Sequence, residues 1–188
     1  MRSTTDEPVC FLQANRLALI YSNSCAYVTG EIDAMILFLD FDGVLHPQYE
    51  GMPTPAEELF CHLPRFETVI REFPTVQIVV SSTWRYKFTL DQMRTHFSPD
   101  IAARIIDATP KAENAGSGYQ VTRRENEILD WLAVSGNTGV QWVALDDAVW
   151  QFERYRDRVV DCTWYIGLDD AAMAKLRDVL AAHSIVNQ

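Results

Sequence analysis

The chain has 188 residues, 48% of them hydrophobic and 22% charged, which is enough for one domain with a full core and too little for two. A net charge of −10 and an isoelectric point near 4.7 favour solubility and exclude a large footprint on nucleic acid or an anionic membrane, while leaving room for a local basic cleft. Cys10, Cys25, Cys61 and Cys162 lack C-x-x-C spacing, and His62 beside Cys61 has no second ligand pair, so they read as reduced thiols and exclude a zinc site.

Residues 1–34 carry no motif and are expected to be an N-terminal extension of unsecured order, with the domain proper over residues 35–188. Their apolar stretch is interrupted by Asn15, Arg16 and Asn23, so neither a signal-peptide core nor a helix period emerges. No later stretch approaches the roughly 20 apolar residues of a membrane span. A cytoplasmic location and no membrane partner are expected.

Ile36, Leu37, Phe38 and Leu39 form a short unbroken apolar run, the pattern of a strand buried on both faces of a parallel sheet. The run ends in Asp40 and Asp42, followed by Gly43, which permits a sharp turn. Carboxylates at the carboxyl end of a central parallel strand stand where open α/β sheets bind ligands. A loop through His46-Pro47 and residues 51–55 follows, and Pro64 opens a helix with Phe66, Val69, Ile70 and Phe73 on its buried face.

Pro74 stops that helix, and Val76–Val80 form a second buried strand ending in Ser81, Ser82, Thr83, Trp84 and Arg85. Trp84 reads as a packing aromatic. Thr89 and Gln92 make a capping box for a helix that turns Leu90, Met93 and Phe97 inward, and residues 104–108 form a third strand. A polar surface loop over residues 111–120 precedes a second capping box, Thr122 with Glu125. The helix it opens buries Ile128, Trp131 and Leu132. Arg123 and Arg124 then fall in the first helical turn, where a cation opposes the macrodipole and a nearby anion would offset the cost.

Val140–Leu145 form a fourth strand ending in Asp146 and Asp147, a second strand-end acidic pair with the oxygen donors that magnesium prefers. The run of Arg154, Arg156 and Arg158 among acids reads as a solvated face. Val159 and Val160 form a short last strand, and a final helix capped at Asp169 or Asp170 buries Met173, Leu176, Val179 and Leu180. Strands alternating with helices imply a three-layer α/β/α sandwich around a parallel, Rossmann-like sheet.

The string Asp40-Phe41-Asp42-Gly43-Val44-Leu45 after an apolar strand resembles the first motif of the haloacid dehalogenase superfamily of phosphohydrolases, D-x-D-G-[VT]-L. Ser81 to Arg85, S-S-T-W-R, is similar to a small-cap branch that includes the phosphatase-like domains of multidomain RNA repair proteins. The resemblance implies a strand order of 5-4-1-2-3, minimal or no cap, and four site motifs. Asp40 would be the nucleophile and Asp42 the acid and base. Ser82 would bind phosphate, with Ser81 the runner-up. Arg124 would neutralise charge at the nucleophile, with Arg123 or Lys111 as alternatives. Asp146 and Asp147 would join Asp40 and Asp42 in holding Mg²⁺.

The expected activity is a magnesium-dependent phosphomonoesterase working through an aspartyl-phosphate, with a small phosphorylated substrate favoured over a nucleic-acid end. A polynucleotide would need several phosphate contacts, for which Trp84, Arg85, Lys87, Arg123 and Arg124 would have to gather at the cleft mouth. A non-catalytic metal-binding regulatory module is the second class of reading, since fold alone does not prove function.

Overall fold

The computed structural model describes residues 35–111 and 123–185, with the backbone of three further strands at residues 9–13, 16–21 and 24–27. Those three, β1 (Val9–Gln13), β2 (Arg16–Tyr21) and β3 (Ser24–Tyr27), pair antiparallel in a sheet of their own. The sequence reading assigned no strand there.

The domain is built on five parallel strands, β4 (Ile36–Leu39), β5 (Gln77–Val80), β6 (Ile105–Ala108), β7 (Trp142–Asp146) and β8 (Val159–Asp161), in the order β6-β5-β4-β7-β8. This is the 5-4-1-2-3 order with Asp40 on the central strand. The helices are α1 (Leu63–Arg71), α2 (Leu90–Arg94), α3 (Pro99–Ala102), α4 (Arg123–Val134) and α5 (Asp170–Ile185).

Alternation along each strand divides the core into two layers. Leu37, Leu39, Ile78, Val80, Val143 and Leu145 face one side and pack with Phe66 and Ile70 of α1 and Leu176 and Leu180 of α5. Ile36, Phe38, Val79, Trp142 and Ala144 face the other and pack with Ile128, Trp131 and Leu132 of α4. A strand apolar at every position is therefore explained: both of its faces are covered. The capping box at Thr89 and Gln92 is formed, and Asp169 accepts the Ala172 N–H at 2.8 Å to start α5. The Thr122 half of the second box lies outside the described residues.

The register sets the site. Leu39 pairs with Val80 on one side and Leu145 on the other, so Asp40, Ser81 and Asp146 lie level, one residue beyond the paired strand positions. Amide hydrogen bonds from Asp40 to Leu145 O (3.1 Å) and from Ser81 to Leu39 O (2.9 Å) continue the ladder to that level. The segment between β4 and α1 contains only turns and isolated bridges, so no cap is inserted there. No helix among the described residues is long and apolar enough to cross a membrane.

Candidate active site

Asp40 leaves β4 with its side chain on the α4 face, because Leu39 before it faces the opposite layer. Its Oδ1 accepts its neighbour's amide, Phe41 N–H, at 2.7 Å, and its Oδ2 lies 2.9 Å from Arg124 Nη2. Arg124 arrives from the first turn of α4 and is buried. Its Nη1 lies 3.2 Å from Asp146 Oδ2 and donates to the Ser81 carbonyl. Burial opposes the guanidinium charge, but Asp146 and Asp40 outweigh it and raise its pKa. The anions that offset a cation in a first helical turn are thus these two aspartates. Of Arg124, Arg123 and Lys111, Arg124 alone pairs with Asp40. Arg123 pairs with Glu127 at 3.1 Å, and exposed Lys111 lies over the Tyr86 ring.

Asp146 is fully buried. Its Oδ1 accepts the Ala148 N–H at 2.9 Å, and its Oδ2 has no hydrogen-bond partner. Burial and the neighbouring Asp40 push its pKa up to about 6, against the pull of Arg124. Asp147 is pushed up to about 8 by burial and by Asp40 and Asp146. One oxygen from each of Asp40, Asp146 and Asp147 lies within 4.8 Å of the others. Three crowded hard oxygens, from two buried carboxylates and one half-buried one, are a donor set that fits a hard divalent cation. This cluster could hold such an ion.

Gly43 explains its place in the motif twice over. Its φ is +69°, and a Cβ there would run into the Asp147 side chain, so a larger residue would have to displace that carboxylate.

The structure does not bring the Asp42 carboxylate into the cluster. Asp42 turns away and is held by other donors: His46 Nε2 and Trp84 Nε1 both lie 3.0 Å from its Oδ1, and Thr83 Oγ1 lies 3.5 Å from its Oδ2. His46 Nδ1 accepts the Phe60 N–H at 3.4 Å, which leaves Nε2 to carry the proton and donate to Asp42. Burial pushes the Asp42 pKa up, yet these hydrogen bonds bring the net below the ordinary value.

Ser81 and Ser82 are both buried but differ in use. Ser82 Oγ accepts the Trp84 N–H at 3.4 Å and caps the short helix Thr83–Tyr86, whereas Ser81 Oγ has no partner. The sequence reading chose Ser82, with Ser81 the runner-up. The register instead sets Ser81 level with Asp40 and Asp146.

Sequence reasoning missed His46 as a partner of Asp42, and for Trp84 it favoured packing over base stacking without foreseeing a bond to Asp42. Trp84 does pack, its ring meeting Phe41, Phe60 and Phe88, and it also spends its N–H on the site. A histidine four residues after Asp42 across a glycine turn was the one available signal. Arg85 and Glu127 were missed as a buried ion pair; Arg85 Nη1 also donates to the Ser81 and Ser82 carbonyls, at 2.8 and 2.6 Å. The arginine run is only partly a solvated face. Arg154 pairs with Glu125 at 2.8 Å, and Arg158 lies over the Trp142 and Tyr155 rings.

A family model described as the HAD domain in Swiss Army Knife RNA repair proteins matches residues 36–173. The comparisons with curated proteins and with solved structures gave no match. The matched span runs from the first residue of β4 into α5, taking in the whole parallel sheet and every residue of the site just described. The chain belongs to this family of HAD domains.

Proposed function

We propose that the chain is a metal-dependent phosphomonoesterase that works through an aspartyl-phosphate on Asp40. The family supports a HAD-type phosphohydrolase at the superfamily level. The observation that carries the finer reading is the grouping of Asp40, Arg124, Asp146 and Asp147 at the carboxyl edge of the central strands.

In this reading an Asp40 oxygen attacks phosphorus as the bond to the leaving oxygen breaks, and Asp42 gives that oxygen a proton. Water then attacks the phosphorus of the aspartyl-phosphate and passes a proton to Asp42, releasing inorganic phosphate and restoring the Asp40 carboxylate. The lowered pKa of Asp42 suits the second half, and the negative charge of a bound phosphoryl group raises it again for the first. Arg124 neutralises charge at Asp40 without leaving its pairs. The Ser81 hydroxyl, buried and unpartnered, is the better placed donor to a phosphoryl oxygen, and Ser82 is the second choice. Asp40, Asp146 and Asp147 would hold Mg²⁺. When bound, such an ion supplies Lewis-acid neutralisation of phosphoryl charge.

The nucleic-acid-end reading draws on the family's RNA repair description. Three of the five residues such a patch required are spent elsewhere: Arg124 and Arg85 are buried in ion pairs, and Trp84 donates to Asp42. A substrate no larger than a nucleotide at the site itself is therefore favoured. Turnover of a generic aryl phosphate with Mg²⁺, abolished by Asp40→Asn without loss of the folding transition, is the test. Metal binding without turnover across a broad phosphoester panel would leave the regulatory-module reading in its place.

A further inference from the structure

Beside the reaction centre, on the β6 edge of the sheet, lies a cavity of about 350 Å³ that the mechanism above does not use. That volume is within the range of small-ligand sites, roughly 300–1,000 Å³. Arg85 forms part of its wall and donates to the Ser81 carbonyl, which also accepts from Arg124. One backbone oxygen thus joins cavity and catalytic centre. Thr109, at the end of β6, forms another part of the wall, its amide bonded to Val80 O at 2.9 Å.

The charge of the cavity runs against that of the chain. The whole sequence has 26 acidic and 16 basic residues, yet Arg85, Lys87 and Lys111 line the cavity with no carboxylate among its lining residues. Arg85 and neighbouring Arg123 share Glu127. Among the described residues no carboxylate pairs with Lys87 or Lys111. Two buried polar atoms of the wall, Arg85 Nε and Thr109 Oγ1, have no hydrogen-bond partner, an arrangement that costs stability unless something polar satisfies them. The same wall carries two exposed rings, Tyr86 at 37% and Phe88 at 41% exposure, the second with one side against Trp84. The Tyr86 ring has Arg85, Arg123 and Lys111 within 4.7 to 6.0 Å of its centroid, so cations and aromatic surface face one space.

We propose that this cavity is a subsite for the leaving group of the substrate, and that the leaving group is a nucleotide unit with a second phosphate. The second phosphate would meet Lys87 and Lys111, and the base would lie on the exposed face of Phe88. The proposal deepens the phosphomonoesterase reading and rests on it for the word leaving; the binding itself is separable. A free nucleoside bisphosphate and the terminal unit of an oligonucleotide share this chemistry.

The test is an equilibrium titration of the full-length Asp40→Asn chain with Mg²⁺ present, using adenosine bisphosphate, adenosine monophosphate, ribose bisphosphate and a terminally phosphorylated dinucleotide. The bisphosphate is expected to bind about tenfold tighter than the monophosphate. Charge reversal by Lys87→Glu with Lys111→Glu should bring that ratio below about twofold, and the alanine pair should reduce it in the same direction. A dinucleotide that outbinds the bisphosphate supports the subsite and assigns the polymer end as its source. No advantage for the second phosphate, or equal weakening of both adenosine ligands by the lysine exchanges, overturns the subsite. Ribose bisphosphate binding as tightly as adenosine bisphosphate overturns the nucleotide assignment. If the intact chain hydrolyses no aryl phosphate while the titration shows the expected ratio, the phosphatase reading fails and the subsite stands.

Discussion

His46 Nε2 lies 3.0 Å from Asp42 Oδ1, and the histidine is wholly buried while the carboxylate side chain is 31% exposed. The pair is a tether from the core to the mouth of the site. Trp84 Nε1, also at 3.0 Å, holds the same oxygen from the far side of the cleft, so Oδ1 is fully occupied and Oδ2 faces only the more distant Thr83 hydroxyl. A carboxyl group held by one oxygen is oriented for proton transfer through the other.

Trp84→Phe keeps an aromatic ring but removes the indole N–H together with the five-membered ring that carries it. The expected result is a fall in kcat of about tenfold with KM nearly unchanged, and His46→Ala should cost more, up to about 10²-fold, the lower end of what general acid–base catalysis supplies. Steady-state kinetics on an aryl phosphate with a good and a poor leaving group checks it. The loss should be larger for the poor leaving group, which depends more on a proton.

Ser81→Ala and Ser82→Ala should separate. Removal of the Ser81 hydroxyl should lower kcat/KM by about 10²-fold, as the loss of a donor to developing phosphoryl charge does. Removal of the Ser82 hydroxyl takes away a cap and should cost about 1 kcal/mol of stability with a smaller effect on rate. Paired kinetics and urea denaturation would show whether the two effects fall on the residues in this way.

Crowding of Asp40, Asp146 and Asp147 predicts that divalent metal stabilises the fold. At a metal concentration about 100-fold above its Kd the gain is about 2.7 kcal/mol, which corresponds to a rise of roughly 5–10 °C in Tm for a chain of this size. Asp146→Asn should abolish most of that rise. Differential scanning calorimetry with Mg²⁺ and with a chelator measures both.

Glu125 supplies a pH dependence away from the metal cluster. Its buried Oε2 accepts the N–H groups of Glu153, Arg154 and Tyr155, at 2.9 to 3.0 Å, and its Oε1 accepts from Arg154 Nε. Burial pushes its pKa up, but Arg154 and the three amides outweigh that and hold it below the ordinary value. A depressed carboxyl contributes its stability above the unfolded pKa, near pH 4, and loses it as pH falls through the folded value. Glu125→Gln should therefore cost about 2–3 kcal/mol at pH 7, and the gap to wild type should narrow steadily below pH 4 in denaturation series.

Arg85→Met leaves Glu127 buried beside Arg123 alone. Removing one partner of a buried pair costs about 3–5 kcal/mol, and the remaining arginine should hold the loss near the lower figure. Arg85→Met with Glu127→Leu should recover part of it, a cycle that chemical denaturation can close.

The sequence by itself determined the sheet and the two acidic strand ends, because these rest on local signals. An apolar run of strand length followed by Asp40, Asp42 and Gly43 has few other uses, and the alternation with amphipathic helices limits the topology. Tertiary structure decided the rest, for reasons of register and approach. Whether Ser81 or Ser82 lies level with Asp40 turns on where one strand ends, and a shift of one residue exchanges the faces. Arg123, Arg124 and Lys111 are equivalent as letters. Helix phase alone carries Arg124 inward to Asp40 and leaves Arg123 on Glu127. The hold of Trp84 on Asp42 joins residues 42 positions apart, and no local pattern encodes a contact that exists only once β4 and β5 lie side by side.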